Sequence, residues 1–449
     1  MRILSPCGLL GYGFPLASFQ KGVAKQPDVI AVDAGSTDAG PQKLGAGVVS
    51  VSRLATKKDL LPILTSGREL GIPVIIGSAG GAGAREHVEW TLEIIEEIAS
   101  ERGLAFDTAI IRADIDRDTL HRKLDEDQTS PLGPVPELTH DSIDDASRIV
   151  GQMGCEPIID ALRHGAQLIV AGRAYDPALF AALPIEDGFD PALAFHLGKI
   201  LECGALCAEP GTPKDSIIGT LADDHFIVET LDDARKCYTT SVAAHTLYEK
   251  SHPYILQGPG IELDLSGCVF EQYTDNSVKV SGSRSRVPEQ YTIKLEGASR
   301  VAFRTIVIAG VRDPILIQNI DEITQGVIEQ MHDYYREIPR SEYEILFRIY
   351  GKNAVMGRLE PCGEPGHEIG ILMEVVAATQ DLANTICATA RSTLLHYPYA
   401  GRKSTAGNLA FPYSPSDIQC GPVYKFTVYH LVHVGDPCEL FETEYRTLD

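Results

Sequence analysis

Short apolar runs that end in polar, glycine-rich loops alternate with helical patterns through the first half of this 449-residue chain. Two clear runs are Pro27–Gly35 (PDVIAVDAG) and Pro73–Gly83 (PVIIGSAGGAG), and Ala84–Arg102 has apolar residues at helical spacing. Buried strands separated by helices form βαβ units, so the pattern predicts a parallel sheet covered on both faces. The expected fold class is α/β, with a doubly wound, mostly parallel sheet in the N-terminal part.

The second half of the chain has a different pattern. From about Asp224 onwards strand patterns follow one another with fewer helices between them, as in Val269–Tyr273, Ser277–Ser281 and Tyr291–Leu295. Runs of strands with few helices are typical of α+β domains. We therefore expect an α/β domain at residues 1–222, followed by an α+β C-terminal domain at residues 223–449.

The charge balance narrows the classes of partner. With 39 Lys+Arg against 62 Asp+Glu, the net charge is −23, which argues against a nucleic-acid partner. No apolar segment approaches the ~18 residues of a membrane span. The N-terminal segment is apolar, but proline and glycine residues interrupt it, so it does not have the pattern of a signal peptide. The ten cysteines form no CxxC pair. We expect a cytoplasmic protein without a membrane partner, and a homo-oligomer because that state is common.

Four polar loops follow predicted strands, at Asp33–Gly40, Gly77–His87, Asp114–Asp118 and Gly172–Pro177. In an open parallel sheet, ligands bind beyond the carboxyl ends of the strands. If the strands are parallel, all four loops lie along one edge of the sheet. The sequence therefore predicts a single site at this edge, although a solvated surface loop is the favoured interpretation of Asp114–Asp118.

The glycine loop Gly77–Gly83 leads into the clearest helix of the chain. Glycines let backbone N–H groups approach a ligand, and a helix N-terminus favours an anion. The loop matches neither a P-loop nor a dinucleotide fingerprint, so a substrate carboxylate or phosphate fits better than a nucleotide. The candidate binding residues are Gly77, Ser78, Gly80, Gly81 and Arg85. The alternative is a tight strand-to-helix turn that binds nothing.

The loop DAGSTDAG offers two carboxylates, Asp33 and Asp38, and two hydroxyls, Ser36 and Thr37. Paired acids can act as general acid and general base when their surroundings separate their pKa values. We expect the two aspartates to be catalytic and the two hydroxyls to contact substrate. The same oxygens can hold Mg²⁺, although no cofactor is required by the pattern. Alternatively, the side chains satisfy a local turn.

The segment GRAYDP contains Arg173 and Asp176. Arg173 can bind a substrate carboxylate in a bidentate manner, and Asp176 can orient that arginine or transfer a proton. The structural alternatives are a buried ion pair for Arg173 and a helix cap for Asp176.

A fourth group, His196, Cys203 and Cys207, lies on one face of a predicted helix. The spacing matches no standard zinc site, so core packing is the favoured explanation and no metal site is assigned.

Several segments together resemble one known family. PDVIAVDAGSTDAGP, PVIIGSAGGAG, PIIDALRHGAQLIVAGRAYDPALF and HLGKILECGA are similar to the acyclic terpene utilisation (AtuA) family, as are HPYILQGPGIELDLSG and GNLAFPYSPSDI further on. The resemblance runs over nearly the whole chain. It implies a role in the breakdown of branched acyclic terpenoids, alongside enzymes that act on acyl-CoA, and it assigns no catalytic residue.

The leading hypothesis is an enzyme that acts on a small carboxylic acid or acyl-CoA by proton transfer, as a lyase, hydratase or isomerase. Gly77–Gly83 and Arg173 would hold the anionic group, and Asp33, Asp38 or Asp176 would move the proton. Two alternatives remain open. One is a non-catalytic binding or accessory subunit of an acyl-CoA carboxylase pathway, and the other is a metal-dependent hydrolase that uses the aspartates.

Overall fold

The computed structural model describes residues 1–36, 40–248, 252–403 and 408–449, which divide into two compact units. Unit 1 comprises residues 1–299 and 426–449, and unit 2 comprises residues 300–425. In chain order the strands are β1 (Arg2–Ser5), β2 (Val29–Asp33), β3 (Val74–Gly77), β4 (Phe106–Ile111), β5 (Thr129–Pro131), β6 (Arg148–Gln152), β7 (Leu168–Ala171), β8 (Ile217–Leu221), β9 (His225–Thr230), β10 (Ile255–Gly258), β11 (Ile261–Asp264), β12 (Val269–Thr274), β13 (Ser277–Ser281), β14 (Arg284–Arg286), β15 (Thr292–Val311), β16 (Tyr343–Tyr350), β17 (Ile369–Ala377), β18 (Asp417–His433) and β19 (Thr443–Leu448). The helices are α1 (Leu16–Ala24), α2 (Pro41–Ala46), α3 (Arg53–Leu70), α4 (Arg85–Arg102), α5 (Arg117–Asp125), α6 (His140–Asp145), α7 (Glu156–Arg163), α8 (Ala178–Glu186), α9 (Pro191–Leu201), α10 (Thr239–Thr246), α11 (Pro314–Gln318), α12 (Ile320–Tyr334) and α13 (Gln380–His396).

Parallel strands form the centre of the main sheet of unit 1, in the order β1-β2-β3-β7-β4. Antiparallel strands extend the sheet on both sides: β8, β9, β13 and β12 follow one another beyond β1, and β19 pairs with β4. The sheet is therefore mixed rather than purely parallel. The predicted α/β class with parallel strands is confirmed at this level.

Successive side chains of a strand point to opposite faces of the sheet, so a strand in which all residues are apolar needs helices packed on both faces. Ile30 and Val32 of β2 share a hydrophobic cluster with buried residues of α1, α3 and α4. Val29 and Ala31 of the same strand share a second cluster with buried residues of α7, α8 and α9. Both faces of the parallel strands are thus buried by hydrophobic packing.

The expected boundary between residues 1–222 and 223–449 falls inside unit 1. The strands on either side of it, β8 and β9, pair with each other, and β8 pairs with β1. The C-terminal strand β19 also returns to β4. Backbone pairing thus keeps the segment after residue 222 in the sheet of the first part of the chain.

Unit 2 contains an antiparallel arrangement. Strand β17 pairs with β16 on one side and with residues 303–311 of β15 on the other. Apolar residues of α12 and α13, such as Val327 and Ile386, share a hydrophobic cluster with Ile371 and Val375 of β17. Strands covered by helices in this way form an α+β unit.

Within the described parts of both units, each helix is too short or too polar to cross a membrane.

Candidate functional site

Loops that follow four strands of unit 1 meet at one edge of the sheet, because those strands are parallel. The Ser78 N–H, after β3, donates to the Gly172 carbonyl, after β7, at 2.9 Å. The Ala34 N–H, after β2, donates to the Gly77 carbonyl at 2.9 Å. The predicted loops after β2, β3 and β7 are therefore in direct contact.

Glycine is required where these loops touch. A Cβ atom on Gly83, whose φ is +69°, would lie 2.1 Å from the backbone nitrogen of Arg173. A Cβ atom on Gly35 would lie 2.4 Å from the Cα of Gly81. Both distances are far shorter than any van der Waals contact, so the close approach of the loops depends on these glycines.

The glycine loop takes part in packing along its length. Gly77, Ser78, Gly80 and Gly81 are buried, and the Gly81 N–H donates to the Ser78 carbonyl at 2.9 Å. At the start of α4, the backbone N–H of Arg85 donates to the Asp114 carboxylate at 3.1 Å, and the Arg85 side chain is exposed. The structure thus brings Ser78 to the other site residues, whereas the Arg85 side chain lies at the surface.

Arg173 lies at the centre of a buried charged network. Its Nε donates to Glu296 at 3.0 Å, and its Nη1 donates to Asp176 at 2.9 Å and to the Ser78 hydroxyl at 3.1 Å. Glu296 is fully buried and also pairs with Lys294 at 2.7 Å. Nη2 of Arg173 makes no hydrogen bond with the described residues. The guanidinium is therefore fixed in place and keeps one donor group available.

Backbone pairing positions Glu296 in this network. Strand β15 pairs with β6, and Met153, immediately after β6, exchanges backbone hydrogen bonds with the GRAYDP loop: its N–H donates to the Arg173 carbonyl and its carbonyl accepts from Tyr175. The sequence pattern gave no indication of Glu296, because it lies in a strand more than 120 residues away from Arg173.

Asp33, the last residue of β2, is a buried carboxyl whose pKa is raised well above its ordinary value. Burial is the main cause of the higher pKa, and the negative charge of Asp176 adds to it, while Arg173 opposes it. Oδ2 accepts the Gly35 N–H at 3.1 Å. Oδ1 is buried and makes no hydrogen bond of normal geometry with the described residues. Asp33 therefore keeps its proton at a pH where an ordinary aspartate is ionised.

Helices α9 and α10 add titratable groups that were not predicted. Lys199 and Glu202 are buried and paired, with Nζ 2.5 Å from Oε1, and the charge of Glu202 also raises the pKa of Asp33. Burial, followed by the charge of Lys199, lowers the pKa of His245 to about 4. The buried Nε2 of His245 has no hydrogen-bond partner among the described residues. These groups extend the site beyond Asp33.

The remaining predicted residues differ in their placement. Thr37 and Asp38 lie outside the described residues, and Ser36 is the last described residue before them. His196 contacts Ser283 at 2.8 Å and Thr246 at 3.1 Å. The described residues contain no group of three or more His, Cys, Asp or Glu that can hold a metal ion.

The buried, ionisable side chains of this candidate site lie at the carboxyl ends of the parallel strands of an α/β sheet, the position where such sheets commonly bind ligands. Residues 55–413 match the family described as "Acyclic terpene utilisation family protein AtuA". The chain therefore belongs to the AtuA family. Comparisons with curated proteins and with solved structures return no match for this chain.

Proposed function

We propose that this chain is an enzyme that transfers protons on a small carboxylic acid or acyl-CoA, as a lyase, hydratase or isomerase. The observation that carries the proposal is the buried carboxyl of Asp33, whose pKa is raised by burial and by the charge of Asp176 in spite of Arg173 and a hydrogen bond from Ser78. A carboxyl whose surroundings favour the protonated form is suited to act as a general acid.

The two aspartates of the site are suited to different roles. Asp176 pairs with Arg173 at 2.9 Å, and an arginine at that distance stabilises a carboxylate in its charged form. Asp33 retains its proton for the reasons given above. Two carboxyls in contrasting environments support an assignment of Asp33 as proton donor and Asp176 as a charged partner that positions Arg173. Asp38 stays a candidate for the second catalytic acid or base.

Arg173 supports an anionic substrate. Since Nε and Nη1 are fixed by Glu296, Asp176 and Ser78, the remaining nitrogen Nη2 is available to donate to a carboxylate or thioester oxygen. The nearby ammonium of Lys199 is balanced by the carboxylate of Glu202, so Arg173 is the cation that the proposal assigns to the substrate. Membership of the AtuA family favours a branched, terpenoid-derived acyl group as the substrate.

We also propose that the central strands of unit 1 are doubly wound, with support from the two hydrophobic clusters that place α1, α3 and α4 apart from α7, α8 and α9. A homo-oligomeric state, a cytoplasmic location and an optional Mg²⁺ ion stay predictions.

A deuterium-incorporation experiment tests the proposed reaction class. The protein is incubated in D₂O with a panel of branched acids and their acyl-CoA thioesters, and products are measured by mass spectrometry. We expect deuterium uptake or addition of water to at least one substrate. Asp33→Asn should lower the rate by roughly 10²- to 10⁴-fold, the usual contribution of a general acid or base.

Asp28→Asn is the matched control and should keep the wild-type rate, because Asp28 is exposed beside the opposite end of β2, where its carboxylate accepts the backbone N–H of Arg2. The wild-type rate should fall as pH rises through the raised pKa of Asp33, because the general acid then loses its proton. Equal rates for Asp33→Asn and the wild type on a substrate that turns over would contradict the assignment of Asp33.

A further inference from the structure

Strand β16 of unit 2 is an edge strand. It comes first in the order of its sheet, and β17 is the strand that pairs with it among the described residues. Its sequence, YEILFRIY, contains no proline, glycine or lysine, and its register with β17 is continuous from Tyr343 to Tyr350. Proteins usually block an exposed edge with such residues or with a bulge. Strand β16 is therefore a regular edge to which another strand can be added.

The backbone hydrogen bonds show which residues face the open edge. The Ala378 N–H donates to the Glu342 carbonyl at 3.0 Å, so residues 342 and 378 form a hydrogen-bonded pair. Hydrogen-bonded and non-hydrogen-bonded pairs alternate along an antiparallel ladder. The even-numbered residues of β16 therefore bond to β17, and the backbone groups of the odd-numbered residues point outwards.

The turn after β16 agrees with this assignment. The outward carbonyl of Ile349 accepts the N–H groups of residues 352–354, so this part of the edge is already occupied. The outward N–H and carbonyl groups of Ile345 and Phe347 make no backbone hydrogen bond with another described segment. These four groups are placed to pair with an added strand.

A second copy of β16 fits this edge in an antiparallel arrangement with two-fold symmetry. When the outward-facing residues of both strands are paired over their full length, Leu346 lies at the symmetry axis. Ile345 then pairs with Phe347 of the second copy, and Phe347 pairs with Ile345 of the second copy, which gives four backbone hydrogen bonds. In the same register Glu344 lies directly opposite Arg348 of the second copy.

The charges of the edge are complementary in that register. Glu344 is exposed and forms no ion pair with the described residues. Arg348 is 44% exposed and shares the carboxylate of Glu374 with Arg304, so this cluster has two positive charges and one negative charge. Glu344 of the second copy supplies the missing negative charge, and the symmetry repeats the pair. Opposite charges on directly opposed residues stabilise a strand pair.

We propose that β16 is the interface through which two copies of this chain form a symmetric dimer. Stable interfaces bury about 1,200–2,000 Å² in total, so contacts beside the strands must contribute. Val355, Met356 and Leu359 follow β16 and have exposed apolar side chains, and the pairing places their segment next to the start of β16 in the second copy. The interface uses none of the residues of the candidate site, so it is independent of the proposed reaction.

Analytical ultracentrifugation of the full-length chain over a range of concentrations tests the proposal. We expect a mass of about twice 48.7 kDa for the wild type. Glu344→Arg places like charges opposite each other in both pairs, so the dissociation constant should rise about tenfold or more. Glu344→Gln should have little effect, since an exposed ion pair is weak. Glu271→Arg is the control, because Glu271 is an exposed glutamate on another edge strand, β12, and this variant should dimerise as the wild type does.

Disulfide trapping tests the register. Residues at the symmetry axis have Cα atoms about 4.5 Å apart, a distance that a disulfide spans. Leu346→Cys should therefore form a self-linked dimer on mild oxidation with diamide, and peptide mass spectrometry identifies the linked position. Tyr350→Cys is the control, because its two copies lie roughly 26 Å apart along the strands and should not link.

Three results would overturn the proposal: a wild type that stays monomeric, a Glu344→Arg variant that dimerises with unchanged affinity, and a Leu346→Cys variant without the self-linked peptide. A monomeric wild type would leave the edge of β16 to a strand of a different protein.

Discussion

Each unit contains a cluster of oppositely charged side chains, and the two clusters differ in the number of cations for each carboxyl. In unit 2, the carboxylate of Glu374 on β17 accepts from both Arg304 and Arg348. In unit 1, the single guanidinium of Arg173 serves Glu296 and Asp176 and lies near Asp33. In unit 2 one carboxylate has two arginines, whereas in unit 1 Arg173 and Lys294 together face three acidic groups.

The pKa values follow this difference. Burial raises the pKa of Glu374, but the hydrogen bonds and charges of Arg348 and Arg304 outweigh it, so the pKa is lowered. For Asp33, burial and the charge of Asp176 outweigh the attraction of Arg173, so the pKa is raised. A carboxylate whose charge is balanced by two arginines contributes to stability. A carboxyl that shares one arginine with other acids favours its protonated form, and that proton can be transferred.

The largest predicted effect comes from removing the shared cation. Arg173→Ala leaves Glu296 and Asp176 without their arginine in a buried site, and breaking a buried pair in this way costs about 3–5 kcal/mol. Arg348→Ala leaves Arg304 paired with Glu374, and the Arg348 side chain is 44% exposed. We therefore expect the free energy of unfolding of this variant to fall by less than about 1 kcal/mol. Chemical denaturation of both variants measures the difference. Equal losses would mean that the two clusters are not distinct.

The sequence was sufficient to predict which loops meet at the edge of the sheet. Apolar runs ending at Asp33, Gly77 and Ala171 are strands β2, β3 and β7, and each of the loops after them contributes to the site. The sheet order and the antiparallel extension through β8 and β9 were not predictable, because strand pairing between distant segments leaves no local pattern.

The partners of the site were predictable only in part. The pattern predicted that Arg173, Asp176 and Ser78 lie together, and hydrogen bonds join them in the structure. Glu296 joins them through pairing of β15 with β6, which no local spacing encodes. A signal was present for Lys199: an otherwise apolar helix carries it three residues before Glu202, and charges on a buried helix must be paired.

The second prediction removes the charge of the matched carboxylate. Glu374→Gln replaces charge-assisted hydrogen bonds from two arginines by weaker ones, so the free energy of unfolding at pH 7 should fall by about 1–2 kcal/mol. Activity in the deuterium assay should be unchanged, because Glu374 belongs to unit 2 and the proposed catalytic residues belong to unit 1. Glu344→Gln, an exposed glutamate on the neighbouring strand β16, is the control and should unfold as the wild type does. Increased stability of Glu374→Gln would contradict the view of this cluster as a matched ion pair.

The smallest predicted effect is on how the melting temperature depends on pH, which should change in opposite directions for variants at Asp33 and at Glu374. Because the folded-state pKa of Asp33 is raised, its contribution to stability is fully present below its unfolded pKa of about 3.9 and declines as pH rises towards the folded value. Asp33→Asn removes that decline, so its melting temperature relative to the wild type should increase from pH 4 to pH 8. The buried amide donor of the variant lowers its melting temperature by a similar amount at each pH, which offsets part of the gain. Glu374 has a lowered pKa, so the deficit of Glu374→Gln should be present at neutral pH and shrink as pH falls through its folded pKa. Melting curves of both variants over this range compare the two clusters directly, and parallel trends would show that Asp33 is paired as completely as Glu374.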